Sequence, residues 1–236
     1  VFLLDIKIYQ TKFLILDILL ENIYFRYIFS AFCLLILING SNFIDGLNGL
    51  LLGYFTLIIS IIFYLNFHLY LTLEKDLIIL LILTLVYLLI LNFNNKLFMG
   101  DSGSYTLGLL SGYFLIKFYE FNQEISPYFI LLLLWYPCFE NLFSIIRKFT
   151  YNKSPINADN NHLHQLVFFY IKKKNFFRSL NTNNVSSFLI ISYNLLIFII
   201  SLNNPSNSQF QISLVLLNII IYLVTYFKLF TFKYKI

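Results

Sequence analysis

The chain has 236 residues, of which 59% are hydrophobic and only 11% are charged, with a net charge of +5. Soluble domains carry about 25% charged residues, so this composition excludes an ordinary soluble protein and favours a membrane protein. The positive charge indicates a basic face at the membrane rather than nucleic-acid binding, because the Lys and Arg residues concentrate in a few loops. Cys33 and Cys138 lie far apart in apolar runs, which predicts packed thiols rather than a disulfide or a metal site.

Apolar runs predict an all-α fold, a polytopic membrane helix bundle with about seven transmembrane helices, formed by the single domain 1–236. In chain order the predicted spans are Ile23–Leu37, Leu47–Phe67, Leu77–Leu91, Tyr105–Phe118, Tyr128–Ile146, Val185–Leu202 and Ile212–Phe227. The fifth span contains Pro137 and Glu140, which a membrane helix tolerates only when neighbours satisfy its backbone and shelter the carboxylate. Ahead of the spans, the alternation of Lys7–Leu16 predicts a short periplasmic strand, as part of a β-hairpin near the N-terminus.

The polar segments between the spans fall alternately on two sides of the membrane. One side holds most of the Lys and Arg residues and is cytoplasmic by the positive-inside rule. Its segments are Ser41–Asn48, Asn92–Ser104, the long loop Arg147–Asn184 and the tail Lys228–Ile236. The opposite side receives Val1–Asn22, His68–Asp76, Glu120–Ser126 and Asn203–Gln211. Within the fourth span, Ser104, Gly108 and Gly112 recur every four residues, which predicts close packing of two helices.

The first polar motif runs from Asn39 to Leu50 at the end of the first span. Asn42 and Asp45 are three residues apart, so on a helix both side chains fall on one side. Gly46 and Gly49 permit tight turns or the close approach of a ligand. A ligand site and a polar loop in which Asp45 caps the next helix are both compatible with this pattern.

The second polar motif is Phe98–Ser104, which enters the fourth span. Its carboxylate, Asp101, lies between Gly100 and Gly103. One carboxylate at a membrane surface suits Mg²⁺, which takes few protein ligands and completes its shell with phosphate oxygens and water. A helix N-cap formed by Asp101 or Ser102 is equally compatible with the pattern.

The third polar motif lies in the segment 147–184, which contains Arg147, Asp159, His162 and His164. This cationic segment is suited to bind a pyrophosphate, to contribute metal ligands or to lie on anionic headgroups. Two histidines alone are a weak metal signal, because metal sites need further ligands. The run Lys172–Lys174 indicates membrane orientation rather than catalysis.

Together these motifs resemble the signatures of the polyprenyl-phosphate N-acetylhexosamine-1-phosphate transferases, in glycosyltransferase family 4. Asn39–Leu50 resembles the signature Asn-x-x-Asn-x-x-Asp-Gly-x-x-Gly-Leu, and Phe98–Ser104 resembles Met-Gly-Asp-x-Gly-Ser. Arg147–His164 resembles the loop that ends in Asp-x-x-His-x-His, in a form similar to the bacterial branch. The three occur in the order and spacing of that family.

The resemblance implies transfer of a sugar-1-phosphate, such as GlcNAc-1-phosphate, from a UDP-sugar to undecaprenyl phosphate, with release of UMP and a requirement for Mg²⁺ or Mn²⁺. It implies that Asp101 and Asn42 bind the metal and that Asp45 belongs to the catalytic cluster. The same resemblance implies that His162, His164 and Arg147 contact the donor, with Asn39, Asn42, Asn48 and Asp159 as further substrate-binding residues. The expected partners are the UDP-sugar, undecaprenyl phosphate and membrane lipids, and the expected location is the cytoplasmic face of the bacterial inner membrane.

Three departures from the family pattern keep other interpretations open. An adjacent Asp pair expected upstream is absent, Gln165 replaces a third histidine, and Glu140 replaces an aspartate. With no initial Met, the first departure predicts an N-terminally truncated chain. A catalytically inactive fragment or relative therefore remains an alternative. A secondary transporter is disfavoured, because the polar clusters lie in loops on one face rather than at mid-span.

Overall fold

The computed structural model describes residues 1–2, 5–68, 75–150, 160–175 and 181–234. Within these ranges the chain forms ten α-helices and no strand, in agreement with the predicted all-α bundle. The helices are α1 Leu14–Leu20, α2 Ile23–Ile44, α3 Leu50–His68, α4 Lys75–Phe93, α5 Gly100–Phe121, α6 Pro127–Leu133, α7 Trp135–Thr150, α8 Leu163–Lys174, α9 Thr182–Ser201 and α10 Ser208–Tyr234.

The prediction of a β-strand over Lys7–Leu16 is wrong. The chain reaches α1 at Leu14 through an irregular segment that packs against other helices. Ile6 is fully buried in a small apolar cluster with Leu34 and Ile116, and the backbone N–H of Ile8 donates to Ser30 Oγ at 2.8 Å. Ile6 and Ile8 therefore pack in the cluster with Leu34 of α2, whereas Phe13 and Leu14 are exposed.

The centre of the bundle is α3, whose described side chains are mostly buried. Residues such as Leu50, Tyr54 and Ile58 have no exposed surface, and α3 contacts α4, α5 and α9. A helix that is hydrophobic on all sides is stable only inside a protein or a membrane. Helices α2, α4, α5 and α9 pack against α3, and large apolar side chains are exposed on the outer faces of helices such as α4 and α10.

Among the described residues, four helices are long and apolar enough to cross a membrane: α2, α4, α9 and α10. The pair α6 and α7 makes a fifth if it is one broken span. The expected count of seven is not confirmed, because the described apolar stretch of α3 is shorter and α5 is interrupted by Gly, Ser and Tyr residues.

The fifth predicted span is two helices that meet at an angle of 73° around Leu134. Pro137 lacks the backbone N–H that would bond the carbonyl of Leu133, which ends the helical hydrogen-bond pattern there. The hydroxyl of Tyr54 donates to that Leu133 carbonyl at 2.8 Å instead. A side chain of the central helix thus stabilises the bend in the way that a membrane interior requires.

Close contacts with two other helices fix the position of α2. A Cβ atom added to Gly108 of α5 would lie 2.6 Å from Ser41 Oγ, and one added to Gly112 would lie 2.5 Å from Leu34 Cδ2. The close packing predicted from the spacing of small residues is therefore confirmed. On another side, a Cβ on Gly40 would lie 2.2 Å from the Pro137 carbonyl oxygen of α7. These approaches hold the end of α2 beside the start of α5.

Two groups of connecting segments gather at opposite ends of the bundle. At one end, hydrogen bonds join Asn42 to Asp101, Asn48 to Asn183 and Lys233 to Asn160. At the other end, the N–H of Ser126 donates to the Pro205 carbonyl, and Lys117 approaches the Asp5 carbonyl. These contacts agree with the predicted grouping of the segments that they join, whereas residues 69–74 of the predicted segment His68–Asp76 lie outside the described ranges. The segment 147–184, predicted as a long loop, contains α8 between residues outside the described ranges.

Candidate active site

The last turn of α2 and the first turn of α5 bring two of the predicted motifs together. The side-chain amide of Asn42 donates to Asp101 Oδ1 at 2.8 Å and lies 3.2 Å from Ser104 Oγ. Asp101 is exposed, so its carboxylate is accessible from outside the bundle. The two residues that the family resemblance predicts as metal ligands are therefore in direct contact across a sequence separation of 59 residues.

Asp45 lies at the C-terminal end of α2, next to this pair. Partial burial, reinforced by the negative charge of Asp101, raises the pKa of Asp45 to about 6, against the opposing effect of a backbone hydrogen bond from Gly100. Gly100 has a φ of +62°, which strongly favours glycine. The positive φ at the start of α5 thus accompanies a backbone hydrogen bond to the carboxyl group.

The side chains of Asn42, Asp45 and Asp101 have the chemistry of a Mg²⁺ site that is completed by a ligand. Carboxylate and amide oxygens are ligands that Mg²⁺ accepts, and it usually takes only one or two protein carboxylates. The described residues contain no group of three or more His, Cys, Asp or Glu side chains that could hold a metal ion. A cation bound here would therefore need phosphate oxygens and water to complete its coordination.

The histidines of the third motif occupy the start of α8, on the same end of the bundle. His162 Nδ1 lies 2.9 Å from Glu140 Oε1, and its ring lies 5.1 Å from that of Phe43, which follows Asn42. This ring contact joins the third motif to the first. Gln165, which replaces a histidine of the family pattern, accepts a hydrogen bond from the His162 backbone N–H through Oε1 at 3.1 Å and so caps α8.

His164 is fully buried beneath the turn that follows Asp45. A Cβ atom on Gly46 would lie 2.4 Å from His164 Nε2. Within the described part of the chain, neither ring nitrogen of His164 has a hydrogen-bond partner. Burial lowers the pKa of His164 to about 4; the nearby His162 acts in the same direction and the Glu140 carboxylate opposes it. His164 is therefore a neutral imidazole that packs on the backbone of the first motif.

Asn48, predicted to bind substrate, is itself buried and belongs to a network of polar side chains that extends to the exposed Asn95. Its side-chain amide donates to Asn95 Oδ1, and its backbone groups bond Asn183 and Ser187. The amide of Asn92 joins the same network through the N–H of Gly49. Sequence reasoning missed Asn92, Asn95, Asn183 and Ser187, although the frequency of Asn at these helix ends was a visible signal. The network ties the first motif to α4 and α9.

The sequence model described as "Glycosyl transferase family 4" matches residues 1–119, half of the chain. The chain belongs to glycosyl transferase family 4.

Two curated proteins are similar to this glycosyl transferase family 4 chain. The "Probable undecaprenyl-phosphate N-acetylglucosaminyl 1-phosphate transferase" of Bacillus subtilis (strain 168) is 34% identical over 132 residues, which cover 53% of this chain and 36% of that protein. The "Undecaprenyl-phosphate alpha-N-acetylglucosaminyl 1-phosphate transferase" of Yersinia pestis is 27% identical over 152 residues, which cover 61% of this chain and 41% of that protein. The chain thus spans less than half of the length of these relatives. No solved structure matches it significantly.

The remaining predicted site residues of this family 4 chain occupy different settings. Asn39 lies on α2 one turn before Asn42; it is exposed, and its side chain donates to the Leu35 carbonyl of its own helix. Arg147, near the end of α7, is only 8% exposed, and its guanidinium lies 5.7 Å from the centre of the Tyr226 ring. Asp159 lies outside the described residues. The structure therefore brings Asn42, Asp45 and Asp101 together and sets the two histidines beside them.

Proposed function

We propose that this chain is the catalytic part of an enzyme that transfers a sugar-1-phosphate from a UDP-sugar to undecaprenyl phosphate, with release of UMP. The sugar is GlcNAc or a related N-acetylhexosamine. The observation that carries the proposal is the contact between Asn42 and Asp101, with Asp45 beside it, at the end of the bundle that also holds His162. The names of the two relatives support the same reaction class.

Phosphoryl transfer asks a protein mainly to align the reacting groups and to neutralise charge. We propose that Asn42 and Asp101 hold Mg²⁺ or Mn²⁺, which when bound supplies positive charge to the diphosphate of the donor. Asp45 completes this polar cluster, and its charge depends on pH because its pKa is raised to about 6. In this proposal His162 and Arg147 contact the phosphates of the donor as hydrogen-bond donors. The acceptor is already a phosphate anion, so no strong general base is needed.

The acceptor's hydrocarbon chain has a candidate binding groove. An apolar cavity of about 440 Å³ lies between α2, α5 and the bent pair of α6 and α7. It runs from Gln10 and Thr11 to Leu37, which lies five residues before Asn42 on α2. Apolar lining of this kind suits a polyprenyl tail whose phosphate emerges near the polar cluster. We infer that the cluster lies at the cytoplasmic face of the bacterial inner membrane, because the basic residues concentrate at that end.

The test is the transfer of labelled sugar-1-phosphate from UDP-GlcNAc to undecaprenyl phosphate in membranes, with and without Mg²⁺. The chain is compared with the full reading frame that contains it and with an Asp101→Asn variant. Asp76→Asn is a matched control, because Asp76 is an exposed carboxylate at the start of α4 on the opposite end. Product that depends on Mg²⁺ and on Asp101 but not on Asp76 supports the proposal. No product from either form, with several UDP-sugars supplied, favours an inactive relative.

A further inference from the structure

Glu140 has a carboxylate that is buried inside the bundle, where an unpaired charge is costly. It is 1% exposed and lies on α7, just after the bend. Moving a carboxylate out of water carries a large free-energy cost unless hydrogen bonds compensate for the lost hydration. An apolar side chain would fill this space without that cost, so the hydrogen-bond partners of the Glu140 carboxylate indicate what the carboxylate does.

Both carboxylate oxygens of Glu140 accept hydrogen bonds from the described residues. Oε1 lies 2.9 Å from His162 Nδ1 and 3.3 Å from the backbone N–H of Leu163, which donates to it. Oε2 accepts a hydrogen bond of 2.9 Å from the hydroxyl of Tyr222 on α10. One oxygen thus holds both the imidazole and the first backbone N–H of α8, while α10 holds the other.

These contacts define the orientation of His162. An imidazole whose Nδ1–H donates to a carboxylate is fixed in one ring orientation, and its Nε2 is left for another partner. The ring also packs against Phe43, which lies between Asn42 and Asp45 in the chain. His164 stacks parallel to His162 with ring centres 5.7 Å apart but makes no hydrogen bond to Glu140. The carboxylate therefore selects one of the two histidines.

We propose that Glu140 is a positioning residue for His162: its carboxylate accepts the hydrogen bond from Nδ1–H and so turns Nε2 towards the diphosphate of the donor, to which the protonated ring donates Nε2–H. Glu140 does not touch the substrate itself. This inference deepens the proposed function and rests on it for its catalytic consequence. Because Glu140 lies on α7, the bend at Leu134 also affects where its carboxylate meets His162.

The test combines magnetic resonance of isotope-labelled histidine with kinetics of the purified chain and of the full reading frame. The chain has three histidines, so the resonance of His162 is assigned by its loss in His162→Gln. We expect a hydrogen-bonded Nδ1 proton on His162 that shifts or disappears in Glu140→Gln. The same variant should lower kcat about 10-fold to 100-fold, as the loss of residues that orient active-site ligands commonly does. Glu140→Asp, which keeps the charge, should restore part of both signals.

Asn194→Leu is the matched control. Asn194 is fully buried and accepts a hydrogen bond from Trp135 Nε1 at 2.9 Å, which links the same bent region to α9 without involving His162. This variant should lower the thermal midpoint but leave kcat and the His162 resonance unchanged.

Two results are decisive. If Glu140→Gln lowers only the thermal midpoint, while the His162 resonance and kcat stay as in the wild type, the carboxylate is structural and the inference is overturned. The resonance is read independently of turnover. A wild-type chain and reading frame without transfer activity therefore overturn the proposed function alone, whereas an unchanged resonance overturns the positioning role.

Discussion

Replacing Gly46 by Ala tests the contact between the first and third motifs. The added Cβ would lie 2.4 Å from His164 Nε2 and 3.1 Å from His164 Cδ2. Both distances are shorter than ordinary van der Waals contact, which begins near 3.4 Å. The imidazole is a rigid ring that is fully buried and stacked on His162, so it has no open space to enter. The turn after Asp45 or the start of α8 must therefore move by about 1 Å.

Overpacking of this kind costs about 1–3 kcal/mol of unfolding free energy. For a chain of this size that corresponds to a decrease of about 2–12 °C in the midpoint of thermal unfolding. Movement of the turn also displaces Asp45 from Asp101, so we expect the loss of transfer activity to exceed the loss of stability. Gly103→Ala is the matched control, since its added Cβ meets mainly the flexible end of Met99.

The assay is a double-mutant cycle in detergent, with thermal unfolding and transfer measured for Gly46→Ala, His164→Ala and the double variant. His164→Ala removes the ring that causes the clash. The double variant should therefore be more stable than the sum of the single effects predicts, by about 1–2 kcal/mol. Additive effects, or a stability loss in Gly103→Ala equal to that in Gly46→Ala, would refute the steric explanation.

Three further predictions concern the charged groups. Asp101→Asn should lower Mg²⁺-dependent transfer about 10²–10³-fold with near-normal expression, and unchanged transfer would sink the metal assignment. Because burial and then Asp101 raise the pKa of Asp45 to about 6, protonation below that pH should weaken Mn²⁺ binding, which is measurable by titration. Raising the pH should have the opposite effect on the stability of the metal-free protein. Its free energy of unfolding should fall between about pH 4 and about pH 6, because the folded state favours the protonated carboxyl group of Asp45. Replacing Lys172–Lys174 by Ser should disturb membrane orientation, read by protease accessibility, more than turnover per molecule.

Much of the architecture could be predicted from local patterns. Loop charge and the alternation of spans grouped the three motifs at one end, and the spacing of Ser104, Gly108 and Gly112 predicted a close helix contact without naming the partner helix. The pairing of Asn42 with Asp101 followed only from the family resemblance. Nothing in the spacing of two residues so far apart indicates a direct contact.

The remaining features depend on tertiary contacts that a local pattern does not encode. Pro137 indicated a disturbed helix, but the bend of 73° also needs Tyr54 to satisfy the Leu133 carbonyl. The alternation of Lys7–Leu16 has the period of a strand, yet only Ile8 of this segment joins Ile6 against α2, and α1 begins at Leu14. The roles of Glu140 and His164 could not be separated from the sequence, because only the fold shows which histidine the carboxylate reaches.

The length of α10 links the polar cluster to the bilayer. Its 27 residues extend about 40 Å, whereas a hydrocarbon core is about 30 Å thick. The projecting end holds the chain just before His162, because Lys233 donates to the Asn160 carbonyl at 2.7 Å and Tyr234 donates to Asn161 Oδ1 at 2.8 Å. A thicker or thinner bilayer changes the tilt of such a helix and therefore shifts the residues that it holds. The length of the lipid chains thus influences the position of the segment before His162. It acts through the tilt of α10, which carries none of the residues proposed for catalysis.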